Sequence, residues 1–170
     1  LANYLRCSHI VYSDYFEKEL NLIKIETTKN QAIRMKKGDA HEDGYLSYLR
    51  TKFSKTIDIK NLDFSDETNY EKKIDLKIAK TIQSMKEGYE VIRGGWLKRD
   101  NWRGELDFLI INNTASSKLG SYSYEIIDAK NSHLSKPEHI IQLGIYAFML
   151  ESVQGFIPSK LTVALKDNIL

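Results

Sequence analysis

Three charged residues interrupt or follow two apolar stretches of the chain. Asp107 lies inside residues 106–111, and Asp128 and Lys130 follow residues 122–127. Side chains two positions apart on a strand point to the same face, so Asp128 and Lys130 should project together, and Asp107 should lie beside them if the strands pair. An unpaired charge is costly to desolvate. The cluster is therefore expected to be a buried ion-pair network, or a divalent-metal site with a lysine beside the reacting group.

The apolar pattern of the whole chain predicts the elements that position these residues. It predicts, in order, one or two helices over 1–20, a helix over 30–53, a strand over 56–62, a helix over 67–86 that Gly88 ends, a strand over 89–97, a turn over 98–101, the strands 106–111 and 122–127, a helix over 138–153 and a strand over 161–165. This order is typical of an α/β domain with a small mixed β-sheet covered by helices.

Four motifs follow one another between residues 38 and 146. They are Gly38-Asp39-Ala40-His41-Glu42, Asp107, Asp128-Ala129-Lys130 and Gln142-Leu143-Gly144-Ile145-Tyr146. The middle two resemble the signature of the PD-(D/E)xK nuclease superfamily, and the outer two are similar to the GxxHE and QxxxY motifs of its RecB-type branch. Asp-x-Lys alone is a weak signal, and the four motifs in family order are far more specific. The resemblance implies a single domain over residues 1–170 with a restriction-endonuclease-like core.

The resemblance also implies an activity, the metal-dependent hydrolysis of DNA phosphodiester bonds. Its cofactor would be Mg²⁺ or Mn²⁺, because oxygen ligands suit hard cations and one imidazole suits Mn²⁺. The implied ligands are two carboxylates, an imidazole and a backbone carbonyl, from Asp107, Asp128, His41 and Ala129. Lys130 would position or deprotonate the attacking water, or neutralise developing charge. Gln142 and Tyr146 would contact the DNA backbone or orient Lys130.

Ordinary structural roles stay open for the helical residues. His41 can be a surface residue of its helix. Glu42, about 100° further round the helix, can instead contact a backbone group or a basic side chain. Gln142 and Tyr146 are four positions apart, on a face that His139 can share, and they can belong to an ordinary amphipathic helix with a half-buried tyrosine. Without the other motifs, the ordinary helix would be the better interpretation.

Residues 93–103 interleave basic and aromatic side chains. The cations can neutralise phosphates while the indoles stack on bases, as in channels for single-stranded nucleic acid. The equally open alternative is a hairpin with both tryptophans in the core and the basic residues on its surface. The candidate DNA contacts are Arg93, Trp96, Lys98, Arg99, Trp102 and Arg103.

Composition excludes several classes of protein. The 170 residues carry a net charge of only +2, so any surface for nucleic acid must be local. No apolar run approaches the roughly 20 residues of a membrane span and no secretory signal is visible, so we expect a cytoplasmic protein with no membrane partner. In CRISPR-associated exonucleases, an early cysteine joins three later ones at an iron–sulfur cluster. Cys7 is the single cysteine here, so we expect core packing and no cluster within this chain.

The resemblance suggests partners and a setting. DNA, as single strands or duplex ends, is the expected partner, with a helicase domain or subunit as a further candidate, in repair, recombination or mobile-element processing. Because the chain begins at Leu1, we expect a domain cut from a longer protein. Two other hypotheses stay open. One is a catalytically weak DNA-binding or interaction module of a larger helicase or nuclease protein. The other is a non-nucleolytic α/β protein in which the charged cluster is only a buried ionic network.

Overall fold

The computed structural model describes residues 8–17, 19–22 and 27–166. The helices in these ranges are α1 (Ser8–Tyr15), α2 (Lys29–Lys52), α3 (Tyr70–Lys86) and α4 (Pro137–Gln154). The strands are β1 (Thr56–Asp58), β2 (Val91–Arg99), β3 (Trp102–Asn112), β4 (Ser123–Lys130) and β5 (Leu161–Leu165). The interpretation of Cys7 as a core residue concerns a position outside the described residues.

Local signals set the ends of the helices that flank the charged cluster. Helix α2 begins at a capping box in which Thr28 Oγ1 accepts from the Gln31 amide at 3.3 Å and Gln31 Oε1 accepts from the Thr28 amide at 2.8 Å. Gly88, with a φ of 69°, follows the end of α3 as expected. Pro137 lies in the first turn of α4, and Gly155, with a φ of 94°, ends that helix.

The strands form one mixed sheet in the order β1-β2-β3-β4-β5. Strands β2, β3 and β4 are an antiparallel meander, while β1 pairs parallel with β2 and β5 pairs parallel with β4. Helices α3 and α4 provide the crossovers that the two parallel pairs require. The predicted α/β fold, a small mixed sheet flanked by helices, is confirmed. Strand β5 has the predicted bounds. Strand β2 begins and ends two positions later than expected, β3 extends further at both ends, and the two join at a tighter turn, Asp100 and Asn101.

Apolar side chains bury both faces of the sheet. Helices α3 and α4 contribute to one layer, which contains Met85, Ile92, Leu97, Leu106, Leu109, Tyr124, Ile126, Leu143, Ala147, Met149 and Leu150. Helix α2 contributes to the other, which contains Tyr45, Leu46, Leu49, Val91, Phe108, Ile110, Ala129 and Ala164. Because both faces are covered, a charge placed near the middle of β3 or β4 is largely removed from water. Within the described ranges, no helix is long and apolar enough to cross a membrane.

The pairing of β2 with β3 is interrupted at Gly94 and Asp107, which drop out of a ladder that continues on both sides. Gly94 has a φ of 62°, and an added Cβ would lie 2.5 Å from Cβ of Lys60 and 2.8 Å from its amide nitrogen. Only glycine combines this left-handed backbone with such a close approach of the Lys60 backbone. The interruption opens the sheet beside Asp107.

We expect Gly94→Ala to lower the free energy of unfolding by roughly 2–4 kcal/mol, the sum of a left-handed alanine and a steric clash in a packed region. Gly44→Ala is the matched control, because an added Cβ there meets nothing within 4 Å. That change should stabilise α2 by up to about 1 kcal/mol. Denaturant titrations of both variants measure the difference. Equal stability of the two variants would show that the contact with Lys60 does not constrain the sheet.

Candidate functional site

Asp107 and Asp128 lie where β3 and β4 separate. The β3–β4 ladder ends with Phe108 opposite Ile127, so one further pair would place Asp107 opposite Asp128. That pair does not form. Instead, the amide of Ala129 donates to Asp107 Oδ2 at 2.8 Å, so a carboxylate takes the place of a backbone acceptor. The predicted juxtaposition of the two acids is confirmed.

Lys130 joins both acids. Its Nζ lies 2.8 Å from Asp128 Oδ1 and 3.9 Å from Asp107 Oδ2. As expected for residues two positions apart on a strand, Asp128 and Lys130 project together. One ammonium therefore faces two carboxylates. This geometry is common to the two explanations drawn from the sequence, an ion-pair network and a metal site with an adjacent lysine.

Burial and the proximity of a second acid both disfavour ionisation of the two aspartates. The Asp128 side chain is fully buried, and Asp107 is 18% exposed. Burial, and then the Asp128 charge, raise the pKa of Asp107 to about 7 against the opposing effect of Lys130. Burial also raises the pKa of Asp128, while Lys130 lowers it. At neutral pH, ionisation of both acids beside a single lysine is therefore unfavourable.

The donor atoms present fit a hard divalent cation. A protonated Asp107 carboxyl lies within reach to donate to Asp128, but otherwise Asp128 Oδ2 is buried and accepts no hydrogen bond from the described residues. A buried carboxylate oxygen without a donor is the atom that a cation would satisfy. Among the residues described, no group of three or more His, Cys, Asp or Glu side chains is arranged to hold a metal ion. The two aspartates are thus the pair of side-chain ligands that the geometry offers.

Helix α4 brings Gln142 and Tyr146 to the same cluster. Gln142 Nε2 donates to the Tyr146 hydroxyl at 2.7 Å. The tyrosine ring packs on β3, where a Cβ added to Gly104 would lie 2.9 Å from Cε1. Burial raises the pKa of Tyr146 to about 12, with smaller contributions from Asp107 and Asp128, while the Gln142 hydrogen bond opposes the shift. Tyr146 is therefore a neutral hydrogen-bond donor beside the two acids.

His139 also lies in this region. The sequence predicted only that it can share a face of its helix with Gln142 and Tyr146. The amide of Lys136 donates to His139 Nδ1 at 3.3 Å, which fixes the imidazole at the start of α4. Burial and then the Lys130 charge lower the pKa of His139, while the Asp128 charge opposes the shift. The imidazole is therefore close enough to sense both charges. Its spacing of three positions before Gln142 was the available signal.

His41 lies beside the strands of the cluster without contacting its acids in the described residues. Its Nε2 is 3.4 Å from the Ala164 carbonyl oxygen on β5. Ala164 is the register partner of Ala129, which separates Asp128 from Lys130. The imidazole therefore occupies the α2 side of the sheet, next to the strand pair that carries Asp128. Its role as a metal ligand stays a prediction.

Glu42 contacts basic side chains, as one alternative from the sequence held. One oxygen, Oε2, lies 2.8 Å from Lys60 Nζ and 3.4 Å from Arg93 Nη2. Its charge also contributes to the raised pKa of Asp107. Glu42 is therefore a third acid near the cluster, but its charge is offset by two cations.

The prediction that Arg93 contacts DNA is wrong, because the structure buries this side chain. Only 3% of it is exposed, and the guanidinium pairs with Asp43 at 2.7 Å, with Asp58 at 3.1 Å and with Glu42. A guanidinium surrounded by carboxylates in the interior stays charged but has no surface to offer a phosphate. Arg93 instead connects α2 to the edge of the sheet.

Most of the other candidate DNA contacts on the β2–β3 hairpin also have partners within the chain. Trp96 Nε1 donates to Glu105 at 3.1 Å. Arg99 pairs with Glu151 at 2.5 Å and donates to the Phe148 carbonyl at 2.8 Å, and Arg103 pairs with Glu71. Lys98 is exposed, and Trp102 is 42% exposed rather than part of the core. Lys98 and Trp102 are thus the hairpin residues best placed to meet a ligand.

Comparison with known proteins gave no relatives. No protein-family model matches the chain, and neither the curated proteins nor the solved structures contain a match.

Proposed function

We propose that this protein is a metal-dependent DNA nuclease of the PD-(D/E)xK superfamily, RecB-type branch. The observation that carries the proposal is the meeting of Asp107, Asp128 and Lys130 where the β3–β4 ladder opens. The order of elements adds support, since a helix, an antiparallel three-stranded meander, a second helix and a parallel strand agree with the core that the resemblance implies.

The proposed cofactor is Mg²⁺ or Mn²⁺. Asp107 and Asp128 would hold it, with the Ala129 carbonyl and His41 as the further ligands that the resemblance implies. When bound, such an ion activates water and offsets negative charge on the phosphate. Its positive charge would also oppose the burial and the Asp128 charge that raise the pKa of Asp107.

The side chains of the chain would perform the remaining tasks. Lys130, held between the two acids, would position the attacking water or neutralise charge that develops on the phosphate. The Tyr146 hydroxyl accepts its hydrogen bond from Gln142, so its own proton stays free to donate to a phosphate oxygen. His139, at the start of the same helix, is a second candidate donor.

Cleavage of labelled DNA tests the proposal directly. End-labelled linear DNA and closed circular DNA are incubated with Mg²⁺, with Mn²⁺ or with a chelator. We expect cleavage that depends on the divalent ion, and loss of the circular substrate only if cutting is internal. DNA that stays intact under all metal conditions would contradict the proposal.

A second candidate function is a non-catalytic module in which the cluster is only structural. The 2.8 Å contact of Lys130 with Oδ1 of a fully buried Asp128 favours it, since this lysine already pairs the carboxylate with a cation. A ligand that binds only the native state raises stability by mass action. Thermal melts with and without Mn²⁺ therefore separate the two: a rise in melting temperature supports a metal site, and no change supports the ionic network.

We expect His41→Ala to impair metal use more than folding. The imidazole makes one long contact to a backbone carbonyl, so its removal should cost little stability. A lost ligand should raise the Mn²⁺ concentration needed for half-maximal cleavage, with activity partly restored at high Mn²⁺. His133→Ala, in the loop before α4, is the control for removing an imidazole. An unchanged metal requirement would assign His41 to the helix surface.

A further inference from the structure

The N-terminal half of helix α2 extends beyond the packed part of the domain. At about 1.5 Å per residue, the 24 residues of Lys29–Lys52 span roughly 36 Å. The buried residues of this helix are Tyr45, Leu46 and Leu49, all in its second half. Residues 29–37 are exposed except for a partly exposed Ala32. The first half therefore has a free surface among the described residues.

One face of α2 passes continuously from this free half to side chains packed on strands β3 and β5, which flank the strand that carries Asp128. Arg34, Gly38, His41 and Tyr45 are spaced by four, three and four positions, which places them within about 60° of one another. Tyr45 packs edge-on against Phe108 of β3, and His41 lies against β5. Gly38 and Arg34 continue this face into the exposed N-terminal half of the helix.

Gly38 leaves this face open. A Cβ added there would meet nothing within 4 Å, so the gap between Arg34 and His41 is free of protein among the described residues. Glycine within a helix costs stability relative to alanine. Neither a positive φ nor a close neighbour accounts for Gly38, whereas Gly94 has both.

The free half of α2 also carries uncompensated positive charge. Residues 29–38 contain Lys29, Arg34, Lys36 and Lys37 and no acid. In the described part of the chain none of these four cations forms an ion pair, in contrast to Arg93, Arg99 and Arg103. Solvated lysines are common on helices, but a cation in line with the site matches the charge of a polyanion approaching that site.

We propose that the face formed by Arg34, Gly38 and His41 binds the phosphate backbone of DNA and leads it to Asp107 and Asp128. The inference rests on the proposed function for the identity of its ligand. Arg34 would pair with a phosphate, and the open surface at Gly38 would admit the backbone between Arg34 and the sheet. Arg34, rather than the paired arginines of the hairpin, is the cation of this face that contacts the backbone.

Charge reversal on opposite sides of α2 tests the face. Arg34 and Lys36 are two positions apart, about 200° round the helix, so Lys36→Glu is the matched control for Arg34→Glu. Binding of a fluorescein-labelled oligonucleotide, single-stranded and duplex, is measured by anisotropy in a chelator over a range of salt. We expect Arg34→Glu to weaken binding at least about tenfold and to reduce the salt slope by roughly one, while Lys36→Glu changes affinity less than about threefold.

A second pair of variants tests the open surface without changing charge. Gly38→Gln places a helix-favouring side chain on the face, and Gly44→Gln places the same side chain about 120° away. Both should raise the melting temperature, but only Gly38→Gln should weaken binding. Equal losses for Arg34→Glu and Lys36→Glu, or full affinity in Gly38→Gln, would overturn the inference.

The binding assay tests this inference, and the cleavage assay tests the proposed nuclease activity, so each can be contradicted without the other. Binding is measured without divalent metal, so face-specific loss in a protein that never cleaves DNA would support this inference and contradict the nuclease. Normal binding and cleavage by Arg34→Glu would contradict the inference and leave the nuclease standing.

Discussion

Asp107→Asn should abolish cleavage and stabilise the metal-free protein above pH 7. In the wild type, the Ala129 amide donates to Asp107 Oδ2 at 2.8 Å. An asparagine oxygen can accept the same hydrogen bond, so the strand geometry should survive. The substitution removes one of the two carboxylates proposed to hold the metal, and it also removes the repulsion between Asp107 and Asp128. Activity and stability should therefore move in opposite directions.

The pH dependence follows from the raised pKa of Asp107. Its pKa is about 7 in the folded protein, against an ordinary value of 3.8, so the folded state holds this proton more tightly than the unfolded state. Stability therefore falls as the pH rises from about 4 to about 7, and the loss is complete above that window. Asp107→Asn has no proton to lose at this position, so its stability should be flatter over the same range.

Thermal melts in a chelator across this pH range, together with cleavage assays, measure both effects. Glu125→Gln is the matched control, because Glu125 is an acid of β4 that accepts from Asn112 at 3.0 Å, outside the cluster. It should leave cleavage and the pH profile unchanged. Adding Mn²⁺ should raise the melting temperature of the wild type and of Glu125→Gln, but not of Asp107→Asn. Near-normal cleavage by Asp107→Asn would contradict the proposal that Asp107 is a metal ligand.

The parts of the fold that could be predicted from the sequence are those set by local patterns. The apolar run over 161–165 predicted the bounds of β5, and Gly88 marked the end of α3. The alternation of side chains along a strand placed Asp128 and Lys130 on one side of β4. Such signals depend on residues within a few positions of one another, so they survive without knowledge of the tertiary contacts.

The features that could not be predicted depend on distant segments. Arg93 stands in a basic, glycine-containing stretch typical of a surface hairpin, but Asp43 from α2 and Asp58 from β1 surround it in the interior. The opening of the sheet at Gly94 depends on the Lys60 backbone, 34 positions earlier. No periodicity within one element carries information about such partners. The ion-pair partners of Arg99 and Arg103, Glu151 and Glu71, likewise lie on distant helices.

The last prediction concerns Lys130, whose replacement separates a nuclease from a structural ion pair. The ammonium lies 2.8 Å from Asp128 Oδ1 and 3.9 Å from Asp107 Oδ2. Arginine keeps the positive charge, but its planar guanidinium is bulkier and does not readily give up a proton. If Lys130 acts on the attacking water or the phosphate, Lys130→Arg and Lys130→Ala should each lose about 10²-fold or more of the cleavage rate. DNA and metal binding should survive in both.

The structural hypothesis predicts a different pattern for the same two variants. A charge partner for Asp128 is then sufficient, so Lys130→Arg should be mild in every assay. Lys130→Ala should lose up to about 3–5 kcal/mol of stability, because it leaves a fully buried carboxylate without its cation. Lys160→Arg, on an exposed residue before β5, controls for the lysine-to-arginine change itself. Cleavage rate, DNA affinity and melting temperature, measured on all three variants, distinguish the two roles of Lys130. A Lys130→Arg protein that is stable and binds DNA but does not cleave it fits only a catalytic lysine. A fully active Lys130→Arg protein fits only an ion pair.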